Sequence, residues 1–478
     1  MPSSQSSVEI ARCSSAAVGF YLNEHQKNTM PELRNLPAIE TLLRADELQA
    51  SIAGYGLQTV KAVLRDMQAQ MRTTKVLPDW ADQPSGYAQA VAETLSHSDY
   101  TPVFNLSGTI IHTNLGRAVL SEQLWRGIEP LITRPMNLEY DLSAGKRGKR
   151  DTVVEARLCR IIGCEAATVV NNCAAALMLV LNTLALDKKV PVSRGELVEI
   201  GGSFRLPELM SRAGCELMEV GTTNRTRLSD FANVVDEAAM LLKVHPSNYH
   251  IEGFTESVAA NELSQLAQEH DLSSCVDLGS GTLVDLTRFG LPAEPTPQQV
   301  LAEGADLVTF SGDKLLGGVQ AGIIVGKKEL IERIRKNPMK RALRADKITL
   351  AVLEATLKLY EDPDTLSENI PILKIMTRSV TELEATAQRL KAALSASYTC
   401  SIETTQAQIG SGALPDKTIP SLALKLDHDS LSAKEISEQL RALPIPIVGR
   451  VKDDSVWLDL RCAEPVDELM QQLSLLPA

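Results

Sequence analysis

The chain has 478 residues, 44% hydrophobic and 23% charged, the texture of a multidomain globular protein. Its 48 basic and 60 acidic residues leave a net charge of −12, which argues against non-specific nucleic-acid binding but allows local basic sites. No apolar run approaches the ~18 residues of a membrane-spanning helix. No secretory pattern opens the chain, and the eight cysteines stand singly without zinc spacing. A reduced, cytoplasmic setting is therefore expected, with no metal and no membrane.

Residues 1–29 are Ser-rich and aperiodic, and a disordered extension over 1–35 is predicted. From Ile39 to Met71 the apolar spacing is helical: Ile39, Leu42 and Leu43, then Val60, Val63, Leu64 and Met67, with Gly54 and Gly56 interrupting. This predicts a small helical domain over 36–98, with a loop around Pro78, Pro84 and Gly86. From about residue 101, short apolar runs alternate with helical segments: ATVVN, KVPVS, ELVEIG, ELMEVG, AMLLKVH, SCVDLG, ADLVTFS and AGIIVG. Such alternation predicts an α/β domain over 99–346 built on a mostly parallel sheet. A linker helix from Lys347 to Tyr360 follows, then a break at EDPD and a second helix from Ile372 to Ala396. The strands SLALKL and SVWLDLRC complete a small α+β domain, so that 347–478 closes the chain. A ligand cleft is expected between the two domains.

Two basic runs stand out, Lys146, Arg147, Lys149 and Arg150 in GKRGKR, and Lys336, Lys340, Arg341 and Arg344 in KNPMKRALR. By themselves they read as solvated faces or loops.

The chemistry centres on Lys314. The strand ADLVTFS delivers the polar loop SGDK, and a glycine-rich turn and the strand AGIIVG follow. Alone, that lysine would pass for an ordinary one on a hairpin loop. Asp277 ends another apolar strand 37 residues earlier, where a carboxylate can pair with a pyridinium nitrogen and make the ring an electron sink. It also suits a simple turn before Gly-Ser-Gly. At Asn172 a strand gives way to a helix that opens with the small residues Cys173 and Ala174. Free N–H groups and the helix dipole there would hold a phosphate, and Ser311 could add a hydrogen bond. Asn172 is an N-cap in either case. After another strand, His245 is placed to stack on a ring and Asn248 to bond its phenolic oxygen, although a packed or solvated histidine would look the same.

The order of these features resembles the aspartate-aminotransferase-like superfamily of pyridoxal phosphate enzymes. Longer motifs narrow the resemblance: NLSGTIIHTNLGRA (105–118), RGELVEIGGSFRLPE (194–208), GTTNRT (221–226), FSGDKLLGGVQAGIIVGKK (310–328) and RALRADK (341–347). From about residue 36 to 475 the chain resembles the bacterial L-seryl-tRNA(Sec) selenium transferase, or selenocysteine synthase, family. Residues 1–29 show no match, and Cys173 stands where the resemblance expects Asn, its contact then being through the backbone.

The resemblance implies pyridoxal 5′-phosphate carried by Lys314 as a Schiff base, and seryl-tRNA(Sec) as substrate. Lys314 would take the Cα proton, water would leave to give an aminoacrylyl group, and selenium from selenophosphate would add. Arg117 and Arg341 are implied to hold the donor's phosphate. Asp313, beside the lysine, is placed to orient or assist it, although simple turn formation would put an Asp there equally well. Arg44, Lys61, Arg65 and Arg72 of the N-terminal helices would grip the tRNA. A homodecameric ring, a pentamer of dimers, is also implied. A related lyase acting on a small amino acid or amino sugar, without tRNA, is the competing reading.

Overall fold

A computed structural model describes residues 36–96, 98, 100–200, 204–247, 249–410, 414 and 417–477. The extension over 1–35 and Asn248 lie outside the described residues. Two compact units divide between Thr101 and Pro102.

In the first unit, the helices Ile39–Leu42, Asp46–Tyr55, Leu57–Thr74 and Pro84–Ser96 enclose one core. Leu42, Leu48, Val60, Leu64 and Tyr87 fill it, as the helical spacing requires. The expected loop is shorter than read. Pro84 opens the last helix, where its missing N–H costs nothing. Gly86 lies inside that helix, and a Cβ there would meet Trp80 Cβ at 2.4 Å. Lys61, Arg65 and Arg72 fall on one stripe of the long helix by their spacing of four and seven.

The second unit is built on two sheets. In the larger we label the strands β1 (Ala166–Val170), β2 (Lys189–Ser193), β3 (Glu216–Val220), β4 (Met240–Val244), β5 (Ser273–Gly279), β6 (Leu307–Ser311) and β7 (Gly322–Gly326). The order is β4-β5-β6-β7-β1, and only β7 runs against its neighbours. The parallel pair β2-β3 joins beside β4 through the Lys189–Ala238 bridge. Helices cover this sheet, so β1, β6 and β7 are buried at every position, as parallel sheets demand. This is the mixed, mostly parallel sheet of the aspartate-aminotransferase-like fold. The run ELVEIG does not join it: Glu199–Ile200 instead pairs with Phe204–Arg205 in a short hairpin.

The second sheet has the order Arg450–Lys452, Ser455–Asp459, Thr418–His428, Tyr398–Gly410, Thr109–Ile111. Its last strand comes from far upstream: Thr109 and Ile111 pair with Gln408 and Gly410, and Phe104–Asn105 pairs with Ile447–Val448. Residues 104–111 thus pair with strands of the C-terminal region, Thr109–Ile111 in this second sheet and Phe104–Asn105 in a separate two-stranded one, a return of the chain that a linear division at 99–346 does not show. The helix expected over 372–396 is two, Pro371–Thr377 and Val380–Ala392. Ser379 caps the second with a full capping box to Glu382.

Candidate active site

Each residue of the site stands where a buried strand runs out. After β1, Asn172 accepts a hydrogen bond on its side chain from Ala175 N at 2.9 Å and starts the helix Cys173–Leu184. The first N–H groups of such a helix have no intrahelical acceptor and face outward. The turn is tightly backed: a Cβ on Gly322 would meet the Asn172 carbonyl oxygen at 1.9 Å, so only glycine fits. The loop after β5 is similarly constrained, since Gly281 has φ +78° and a Cβ there would meet Ser311 O at 2.1 Å. Asn172, Cys173, Ala174, Asp277 and His245 keep partial exposure.

Asp277 and Thr309 are register partners on β5 and β6, and Thr309 Oγ1 donates to Asp277 Oδ1 at 2.7 Å. Cys173 Sγ lies 3.4 Å from the same oxygen. Burial raises the Asp277 pKa, opposed by the Thr309 and Cys173 hydrogen bonds and by Lys314. Lys314 itself is 6% exposed. Burial lowers its pKa; Cys173 and Asp277 oppose this, while the Arg117 charge adds to it. An amine so placed loses its proton more readily than a solvated lysine.

Arg117 enters from the segment that follows the C-terminal sheet's last strand. It holds φ +64°, a left-handed conformation that costs a non-glycine residue ~1 kcal/mol or more. Asp313 holds it there: Arg117 Nη1 lies 2.7 Å from Asp313 Oδ2, and Ala118 N donates to Asp313 O at 3.3 Å. Lys314, Asp313, Arg117, Asp277, Cys173 and Ser311 thus form one cluster.

Other expected residues stand at its edges. His245 N donates to Asp277 O at 2.8 Å, and its Nε2 lies 3.3 Å from Glu294 Oε1, a buried carboxylate that no motif or spacing singles out. Arg341 is exposed on the short helix Met339–Ala342. Two residues on, Leu343 O accepts from Asn171 N at 3.0 Å, which brings this helix to the rim of the Asn172 turn.

In the basic run around Lys340, the residues Lys336, Arg341 and Arg344 are exposed as expected, but Lys340 is not on a solvated face. Lys340 Nζ lies 2.9 Å from Asp151 Oδ2 and donates to Val169 O, and Asp151 also accepts from Thr168 Oγ1 at 2.6 Å. Against the cost of burial, Lys340 and Thr168 keep the Asp151 carboxyl below its ordinary range. The pair pins Arg341's helix to β1. In the other run, Arg150 bonds Glu139 and Ala345 O, whereas Lys146 and Arg147 are exposed on a hairpin. Among the described residues there is no cluster able to hold a metal ion, and no helix is long and apolar enough to cross a membrane.

The model of the family described as L-seryl-tRNA selenium transferase matches residues 103–464, and that of the selenocysteine synthase N-terminal region matches residues 33–72. The chain belongs to the L-seryl-tRNA selenium transferase family. It is 49% identical over 452 residues to the L-seryl-tRNA(Sec) selenium transferase of Serratia proteamaculans (strain 568), covering 92% of this chain and 97% of that one. Its identity to the enzyme of the same name from Yersinia pestis (strain Pestoides F) is also 49%, over 457 residues, covering 93% and 98%. Among solved structures it is similar to a D-glucosaminate-6-phosphate ammonia-lyase, with a TM-score of 0.56 and 19% identity, covering 80% of this chain and 97% of that one. At that identity the likeness speaks for the fold alone. The chain is accordingly a transferase of this family, and the cluster around Lys314 is its candidate active site.

Proposed function

We propose that this transferase converts L-seryl-tRNA(Sec) to L-selenocysteinyl-tRNA(Sec), using pyridoxal 5′-phosphate held by Lys314 and selenophosphate as the selenium donor. The observation that carries the reading is the convergence of Lys314, Asp277 and the helix start after Asn172 in one cluster. The donor set fits the cofactor: a buried amine for its aldehyde, a carboxylate for its ring nitrogen, and outward N–H groups at Cys173 and Ala174, with Ser311 nearby, for its phosphate. When bound, the cofactor supplies an electron sink for the charge that develops at the seryl Cα.

The remaining work falls to the chain's own groups. Lys314, whose surroundings favour the neutral amine, takes the Cα proton. The proton returns to the seryl β-hydroxyl, which leaves as water; selenium bonds to Cβ as Cα regains a proton, and a water molecule cleaves the Se–P bond to release the donor's phosphate. Arg117 offers a planar fork to that phosphate from one side, and Arg341 offers a second from the rim. Asp313 fixes the Arg117 guanidinium and so positions the donor. His245 packs beside the ring position.

Lys61, Arg65 and Arg72, together with Arg44, provide a local cationic surface for tRNA despite the net charge of −12. Their helices lie largely within the matched segment 33–72, which supports the tRNA reading over a small-molecule lyase. Assembly into a homo-oligomer is supported by exposed apolar side chains gathered close along the chain: Val119, Trp125, Leu131, Tyr140, Leu142 and Val153; the decamer of five dimers is proposed from the family resemblance. The setting proposed is the cytoplasm.

Filter binding tests the substrate assignment. Seryl-tRNA(Sec) is expected to bind well above ordinary seryl-tRNA(Ser); equal binding of the two, or none, would overturn it.

A further inference from the structure

Cys173 does more than lend a backbone N–H to a phosphate. Its Sγ lies 3.4 Å from Asp277 Oδ1, the oxygen that already accepts from Thr309 Oγ1 at 2.7 Å. Ser311 lies near the Cys173 sulfur, so the thiol stands between the phosphate end of the site and the Asp277 carboxylate that it bonds. Burial, then the adjoining Asp277 charge, keeps the thiol protonated, so that it acts as a donor. The side chain is still partly exposed.

Both side-chain donors converge on Oδ1. They restrain the plane of the carboxylate, which keeps acceptor capacity for a ring N–H. A lone acceptor with no such donors would swing, and its pairing with a ring N–H would be less well aligned. We propose that Cys173 is a positioning residue: its S–H, with Thr309, orients Asp277 towards the cofactor's ring nitrogen, and the bound ring covers the thiol. The inference rests on the pyridoxal phosphate reading given above. It assigns a role to a side chain that the family resemblance engages through its backbone alone.

The test uses the full-length enzyme reconstituted with pyridoxal 5′-phosphate. Cys173→Ala removes the donor, while Cys173→Ser and Cys173→Asn keep one. The alanine variant is expected to bind the cofactor about fivefold more weakly, the scale of one modest hydrogen bond. Its visible band should titrate at a different pH from wild type. The serine and asparagine variants should fall within about twofold of wild type on the same scale.

In parallel, a small organomercurial, which reacts with neutral thiols, is mapped by peptide mass on the wild-type protein with and without cofactor. Labelling of Cys173 should be suppressed by the cofactor. Equal labelling in both states, or an alanine variant with wild-type affinity and band, overturns the proposal. Should Cys173→Ala fail to fold, the wild-type labelling decides alone. Failure of the cofactor reading looks different: wild type would then show no visible band with pyridoxal 5′-phosphate, or Lys314→Ala would keep it.

Discussion

Arg117 Nη1 lies 2.7 Å from Asp313 Oδ2, next in sequence to Lys314, while Arg117 itself sits at φ +64°. A strained residue held by an ion pair beside the reactive lysine has a function to repay its cost. Arg117→Ala is expected to lower turnover with selenophosphate about hundredfold, the scale of losing one strong charged contact in a transition state. Cofactor binding should be retained. Asp313→Asn should raise the KM for selenophosphate, because the guanidinium loses its anchor. Steady-state kinetics with each variant checks both; an unchanged KM in Asp313→Asn would remove Asp313 from this role.

The buried Lys314 ties stability to pH. Burial, then the Arg117 charge, sets its folded-state pKa below that of an ordinary lysine. Between the lowered value and the ordinary one, the unfolded chain binds more protons than the folded chain. Stability of the cofactor-free protein should therefore rise as pH climbs towards the ordinary lysine value. Lys314→Met should flatten that rise. Denaturant unfolding across a pH series on both proteins measures it; parallel curves would contradict the assignment.

Asp151 and Lys340 form a part-buried pair that fixes the helix bearing Arg341. Removing one partner leaves an uncompensated charge. Asp151→Ala should cost about 3 kcal/mol. Lys340→Met in the same background should recover part of that loss. Denaturant midpoints of the two single variants and the double variant test the coupling, and additive losses would refute it.

The stripe of Lys61, Arg65 and Arg72 is expected to contact phosphates. Neutralising Arg65 and Arg72 together should weaken seryl-tRNA(Sec) binding and flatten its salt dependence by about two contacts. Binding titrations at several salt concentrations provide the check; an unchanged slope would place the tRNA elsewhere.

Much of this was legible in the sequence because it lies in short, one-strand signals. Lys314, Asp277 and Asn172 each end a buried apolar run, and parallel strands bring such ends to one edge. Thr309 was overlooked, although it is polar within a buried strand two residues before Ser311. Its importance comes from register with Asp277, which pairing reveals and spacing does not. The return of Thr109–Ile111 to the C-terminal sheet was hidden for the same reason, since its partners lie some 300 residues away. Lys340 read as surface because its partner Asp151 is far off in sequence. Cys173 was read for its backbone alone because a thiol's hydrogen bond depends on what folds against it.

The most direct measurement follows selenium. Full-length enzyme loaded with pyridoxal 5′-phosphate is incubated with labelled seryl-tRNA(Sec) and selenophosphate, and the amino acid released from the tRNA is identified. Selenocysteine should form with the wild-type protein and not with Lys314→Ala. Serine recovered unchanged from the wild-type reaction, or selenocysteine formed without Lys314, would contradict the account.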